Sequence, residues 1–222
     1  MTQPPPYVPG HGLLAGKRVL VTAAAGSGIG SSTARRCVEE GATVMISDRH
    51  EARLAATAEE LGVASTPCDV TAEVHEMTDE QWGRVLDVTL NGTFRCTRAA
   101  LNLMYEQGSG VIVNNASVLG WRAQAGQAHY AAAKAGVMAL TRCSAIEAAP
   151  RGVRINAVSP SLAMHANLAK VTTDELLEEL TSREAFGRAA EPWEIANVIV
   201  FLASDYSSYM TGETISVSNQ HA

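Results

Sequence analysis

The stretch Val19–Gly30, VLVTAAAGSGIG, decides the fold. An apolar run of strand character stops abruptly and gives way to a loop of Ala, Gly and Ser. A strand has to turn, and glycine tolerates turn dihedrals that other residues do not. The position of this loop says more. KRVLVT precedes it and the helical stretch SSTARRCVEEGA follows. In a strand–turn–helix unit the helix N-terminus offers free N–H groups and a partial positive charge, which suit a phosphate. Side chains in the turn would hold a pyrophosphate away. The spacing therefore makes Ala24, Gly26, Ser27, Gly28, Ile29 and Gly30 a candidate phosphate cradle.

The next segment completes the pattern. ATVMISDRH reads as a second apolar strand ending at Asp48. An acidic residue about 20 positions beyond such a turn can accept hydrogen bonds from the ribose hydroxyls of an adenosine. It also repels a 2′-phosphate, so NAD is the expected cofactor. Arg49 directly behind it keeps NADP open. A third strand, VASTPCDV, ends at Asp69 and Val70. Strand and helix then alternate to the C-terminus, which predicts an α/β fold: a Rossmann-like, doubly wound parallel sheet in three layers, covered on both faces. A single domain over 13–222 is expected, preceded by an extended, Pro-rich arm over 1–12 that lies on the surface.

Composition narrows the function classes. Hydrophobic residues make up 46% and charged residues 18% of the 222, as in an ordinary soluble globule. The net charge of -6 and the lack of a basic block argue against a nucleic-acid surface. No apolar run is long enough to span a membrane. The four cysteines are scattered and the six histidines lack metal-ligand spacing, so a reduced, cytoplasmic protein without a metal is expected.

A second constellation lies in SVLGWRAQAGQAHYAAAK. Tyr130 and Lys134 are four apart at the start of a helix and share a face. Ser117 lies upstream where a strand ends, and strand ends of a parallel sheet form the ligand crevice. A phenol of pKa about 10 is a weak base at neutral pH, and a neighbouring ammonium favours its anionic form. Tyr130 is thus the candidate general acid/base, Lys134 its cationic neighbour and a ribose ligand, and Ser117 the group that orients a carbonyl or alkoxide oxygen. A surface Tyr and Lys beside a strand-ending Ser is the plainer alternative. Trp121, Leu162, Met164 and Leu168 are candidates for an apolar substrate pocket, or equally for core and subunit contacts.

Together these features resemble the classical short-chain dehydrogenase/reductase family. The Gly-rich turn, Asp48, CDV, Ser117, Tyr130-x-x-x-Lys134, RINAVSP and FLASDYSSYMTGE occur in the family's order across almost the whole chain. The resemblance implies a nicotinamide cofactor and the interconversion of a secondary alcohol and a ketone. It also implies that Asp69 and Val70 contact adenine and that Pro160 to Leu162 lie near the nicotinamide amide. It further implies a homo-oligomer, a tetramer, in which the long helices from Asp79 and Tyr130 pair with those of a neighbour; the small residues Ala131, Ala132, Ala133, Ala135 and Gly136 would allow that close approach, or equally serve packing within the subunit. HGLLAGKRVLVTAAAGSGIG, NNASVLGWRAQ and SPSLAMHANL are similar to members that degrade steroids, which implies a small-molecule substrate that is a hydroxylated ring fragment carried as a CoA thioester. A 3-oxoacyl-thioester reductase and a catalytically silent cofactor-binding regulator are the alternatives.

Departures from the family pattern are also visible. The Gly-rich turn is one residue longer, with Ala23 and Ala24 where a glycine is usual. Thr89 stands where a catalytic Asn is common, with Asn91 two residues later; Ser161 and His165 replace a Gly and a Thr, and VSNQ replaces a terminal Asp-Gly-Gly. The largest departure is a missing element. After CDV the family has a helix and a central fourth strand, whereas TAEVHEM leads here straight into the next helix. Residues left out near Val74 and His75 are the expectation, and a chain that truly lacks the strand is the alternative.

Overall fold

In a computed structural model of the chain, residues 7–22, 24–26, 28–47, 51–66, 77–163, 178 and 181–219 are described. They divide into two compact units. One comprises residues 1–68, 161–205 and 217–222, the other residues 69–160 and 206–216.

The first unit is built on strand β1 (Arg18–Thr22), helix α1 (Ile29–Glu39), strand β2 (Thr43–Ser47), helix α2 (Glu51–Leu61) and the short strand β3 (Ala64–Thr66). The strands pair in parallel in the order β1-β2-β3, with Val19 opposite Val44 and Val21 opposite Ile46. Alternation sets the faces. Val44 and Ile46 point into a core with Leu14, Val21, Ala34, Cys37 and Leu54. Val200 joins that core from helix α6 (Pro192–Ala203), which packs along α1. Burying an aliphatic side chain of this size contributes about 1.5–3 kcal/mol. Met45, on the opposite face of β2, is 45% exposed.

The N-terminal arm is held on the surface of the first unit by specific contacts. Leu14 is fully buried, and the chain before it is fixed on the C-terminal end of α1. Arg36 and Glu40, one helical turn apart and both buried, form an ion pair at 3.0 Å. The Glu40 carboxylate accepts from the backbone N–H of His11 (2.8 Å) and Leu13 (2.9 Å), and Arg36 donates to the carbonyls of Val8 and Pro9. Burial alone would push the Glu40 carboxyl up, but those N–H groups and the guanidinium together hold it below the usual carboxylate range. Tyr7 stacks edge-on against Trp193 at 5.6 Å between ring centres.

The second unit starts with α3 (Asp79–Leu86), capped by a reciprocal pair of bonds between Thr78 and Gln81. The helical stretch that begins here is interrupted. Asp87–Asn91 form a π turn before α4 (Gly92–Gln107). Strand β4 (Gly110–Asn115), helix α5 (Ala128–Ala148), strand β5 (Val153–Pro160) and strand β6 (Thr214–Val217) follow. The sheet order is β4-β5-β6, with β4 and β5 parallel and Ile112 opposite Ile155. β5 is buried along almost its whole length, as a strand covered on both faces should be. Ala145, Ala148, Val153 and Ile155 form its core with Ile112 and Met104.

The described strands thus form two three-stranded sheets, one in each unit, within an α/β architecture. The stretch where the central strand is missing from the sequence, between Thr71 and Met77, falls almost wholly outside the described residues.

Candidate active site

Ser117, Tyr130 and Lys134 all belong to the second unit, and the polypeptide brings them to one strand end. β4 finishes at Asn115, and the Ala116 N–H donates to the Val158 carbonyl at 2.8 Å, which ties the strand end to β5. Ser117 then leaves the sheet with extended dihedrals and caps a short 3-10 turn over Val118–Gly120, its Oγ accepting from the Leu119 N–H at 3.3 Å. That turn presses on α5. A Cβ on Gly120 would stand 2.6 Å from Cε of Met138 and 3.1 Å from the backbone nitrogen of Ala135, so only glycine fits without a shift.

Tyr130 is the third residue of α5 and Lys134 lies one turn further on. Lys134 is buried, and its Nζ donates to the Asn115 carbonyl at 2.5 Å. The same Nζ lies 5.4 Å from the centre of the Tyr130 ring. One ammonium therefore links the end of β4, two residues before Ser117, to the tyrosine. Below it, Asn114 donates to Thr141 Oγ1 at 2.9 Å, a second buried tie between β4 and α5. His129, beside Tyr130, is fully buried, and that burial lowers its pKa and favours the neutral imidazole.

Sequence reasoning missed Asn115. The contact is made by its backbone carbonyl, which every residue type carries, so no signature could have revealed it. Trp121 is half-exposed. It lines an open groove with Leu119, Arg122 and the α5 alanines Ala131, Ala132 and Ala135. Met164 and Leu168 lie outside the described residues.

The Gly-rich turn belongs to the first unit. Gly26 has φ +79°, a left-handed conformation that favours glycine, and its N–H donates to Thr57 Oγ1 at 2.9 Å. α1 begins at Ile29 behind Gly28, which offers no side-chain cap, and its first turn has no acidic residue. Its first N–H groups, those of Ile29 and Gly30 among them, thus lack partners within the helix. A Cβ on Gly28 would meet nothing within 4 Å, so the approach is open. Ala24, just before the turn, is fully buried in the core. An uncapped helix start behind a turn of small residues fits the pyrophosphate of a dinucleotide. Ser27, Asp48, Arg49, Asp69 and Val70 lie outside the described residues. At the other predicted contacts, Pro160 ends β5 buried, and the Leu162 carbonyl accepts from the Ala190 N–H at 2.8 Å.

Comparison with known proteins matches this arrangement. The family model described as short chain dehydrogenase matches residues 17–74, and the one described as enoyl-(acyl carrier protein) reductase matches residues 72–219. The two meet where the central strand drops out of the sequence. The chain is 58% identical to the (5R,7aS)-5-hydroxy-7a-methyl-1-oxo-2,3,5,6,7,7a-hexahydro-1H-indene-carboxyl-CoA reductase of Mycobacterium tuberculosis, covering 98% of this chain and 97% of that one. The 255 aligned positions outnumber the chain's 222 residues, so part of that relative has no counterpart here. A cis-4-hydroxycyclohexanecarboxylate dehydrogenase of Sinomonas cyclohexanicum is 35% identical over 90% of this chain and 95% of its own. The crystal structure of a short chain dehydrogenase from Mycobacterium smegmatis superposes with a TM-score of 0.84 at 53% identity, covering 99% of both chains. Residues, fold and relatives agree: the chain belongs to the short-chain dehydrogenase/reductase family, oxidoreductases that act on CH–OH groups with NAD or NADP.

Proposed function

We propose that the chain interconverts a secondary alcohol and a ketone on an alicyclic ring fragment carried as a CoA thioester, with Tyr130 as the general acid/base. The observation that carries this reading is the Lys134 contact. Its Nζ bonds the Asn115 carbonyl at 2.5 Å and lies 5.4 Å from the Tyr130 ring, at the strand end that presents Ser117. Tyr130 exchanges a proton with the substrate oxygen. The fixed positive charge on Lys134 stabilises negative charge on the phenol oxygen as that proton leaves. Ser117 Oγ hydrogen-bonds the same substrate oxygen and holds it in line. The nicotinamide, when bound, supplies or accepts the hydride. The Gly26–Gly30 turn and the start of α1 hold its pyrophosphate, and Asp48 holds the adenosine ribose and favours NAD.

The choice of an alicyclic thioester is supported by the relative from Mycobacterium tuberculosis, whose name specifies a bicyclic carboxyl-CoA, and by the hydroxycyclohexanecarboxylate dehydrogenase. The family models run without a break from 17 to 219, which supports one catalytic domain over 13–222 behind the arm. Among the described residues no helix is long and apolar enough to cross a membrane, and we place the enzyme in the cytoplasm. We further propose a homotetramer. Leu103 on α4 and Ile146 on α5, 61% and 77% exposed, are the apolar side chains such a contact would use. A monomeric mass by light scattering at working concentration would remove the tetramer.

The decisive test follows NADH and NADPH absorbance with hydroxylated bicyclic CoA thioesters and with 3-oxoacyl thioesters. Turnover on the ring thioesters is expected, and Tyr130→Phe should reduce it by at least about a hundredfold while NAD still binds. Turnover on linear oxoacyl thioesters alone would reassign the substrate. No turnover on any of them would favour a silent regulator.

A further inference from the structure

The Gly26 peptide is held from outside its own turn. Its N–H donates to Thr57 Oγ1 at 2.9 Å, and Thr57 sits in the second turn of α2, thirty-one residues along the chain and 4% exposed. Arg53, one turn earlier on the same face of α2, lies beside the same glycine. Its Cδ is 3.9 Å from where a Cβ on Gly26 would stand. Two side chains of α2 thus meet one residue of the turn, and Gly26 holds there a φ of +79°. A peptide that donates toward α2 does not donate toward a ligand in front of the turn. The bond therefore fixes which N–H groups of the turn face a phosphate.

We propose that Thr57 is a positioning residue for the dinucleotide. By anchoring the Gly26 N–H it sets the plane of the peptide that enters the turn, and through it the direction of the Gly28, Ile29 and Gly30 N–H groups at the start of α1. Thr57 never touches the cofactor. Its hydroxyl replaces, from an adjacent helix, the rigidity that a side-chain cap would give α1, which has none. The inference rests on the reading of Gly26–Gly30 as the pyrophosphate site.

The test compares NAD binding by calorimetry, and steady-state kinetics, for the full chain and for Thr57→Val and Thr57→Ser. Thr57→Val keeps the volume and loses the acceptor. Its dissociation constant and its KM for NAD should rise about fivefold, with kcat changed far less and the melting temperature nearly kept. Thr57→Ser keeps the hydroxyl and should bind as the parent does. Equal affinity in the valine variant overturns the proposal, and so does a serine variant as weak as the valine one, because packing and not the hydroxyl would then be responsible. Amide hydrogen exchange on the unaltered chain reads the same bond without a substitution. The Gly26 amide should be protected without NAD, and those of Ile29 and Gly30 should gain protection only when NAD is added. An unprotected Gly26 amide overturns the proposal. A parent chain that binds no dinucleotide defeats the pyrophosphate reading itself, and the role of Thr57 falls with it.

Discussion

Replacing Glu40 by Gln tests whether the N-terminal arm is held by a buried ion pair. The carboxylate is fully buried and makes three contacts: the N–H groups of His11 and Leu13 on Oε2, and the Arg36 guanidinium on Oε1. A glutamine fits the volume but has only one oxygen. Whichever way its amide turns, its NH2 group meets a donor. Removing one partner of a buried pair costs about 3–5 kcal/mol. Arg36 keeps Glu39 at 3.2 Å and the carbonyls of Val8 and Pro9, so about 3 kcal/mol, the lower end, is expected. For a chain of this size that corresponds to a fall in melting temperature of roughly 6–12 °C. The pH dependence has a definite sign. Glu40 is held below the usual carboxylate range, so its stabilisation is fully present above the ordinary carboxyl pKa of about 4.3 and is lost as pH falls through the lower folded value. Thermal melts followed by circular dichroism at neutral pH, then at steps into acid, should show the gap between parent and variant closing only below that range. A Glu40→Gln melt within about 2 °C of the parent at neutral pH, or a gap that closes before the carboxyl range is reached, would refute the argument.

Three further outcomes are expected. Lys134→Met should lower kcat/KM by about a hundredfold or more and also weaken NAD binding, because we propose that one ammonium serves both the tyrosine and the ribose; unchanged cofactor affinity would contradict the double role. Gly120→Val should destabilise by about 1–3 kcal/mol, because its side chain would collide with Met138 and the backbone of Ala135, and turnover should fall with it as Ser117 shifts; a stable, fully active variant would show that the turn has slack. Asp48→Ala should raise the KM for NAD and relax discrimination against NADP, read as the ratio of kcat/KM for the two cofactors; a parent that already prefers NADP would assign the choice to Arg49.

The strands and the helix that carries Tyr130 were legible because their signals are local. Val19 to Thr22 is an apolar run ended by small turn residues, and Tyr130 and Lys134 share a face by spacing alone. What was not legible depends on partners distant in sequence. An Arg and a Glu four apart on a helix normally mark a solvated ion pair, so Arg36 and Glu40 gave no sign that residues 8–13 would bury them. The Asn115 carbonyl and the Thr57 hydroxyl were invisible for the same reason: nothing in a residue's type says which backbone group will meet it. The π turn was missed because one extra residue in a helical stretch barely alters its apolar pattern.

That extra residue has a geometric consequence. Val85 in α3 and Thr97 in α4 are both buried, yet they are twelve positions apart. On an unbroken α-helix, at about 100° per residue, they would point roughly 120° away from each other. The wide turn at Asp87–Asn91 absorbs one position, and the remaining eleven bring the two side chains to within about 20°. The bulge acts as a phase corrector: it lets one long helical stretch start with Val85 and finish with Thr97 on the same azimuth, so that α3, the bulge and α4 can all lie along α5.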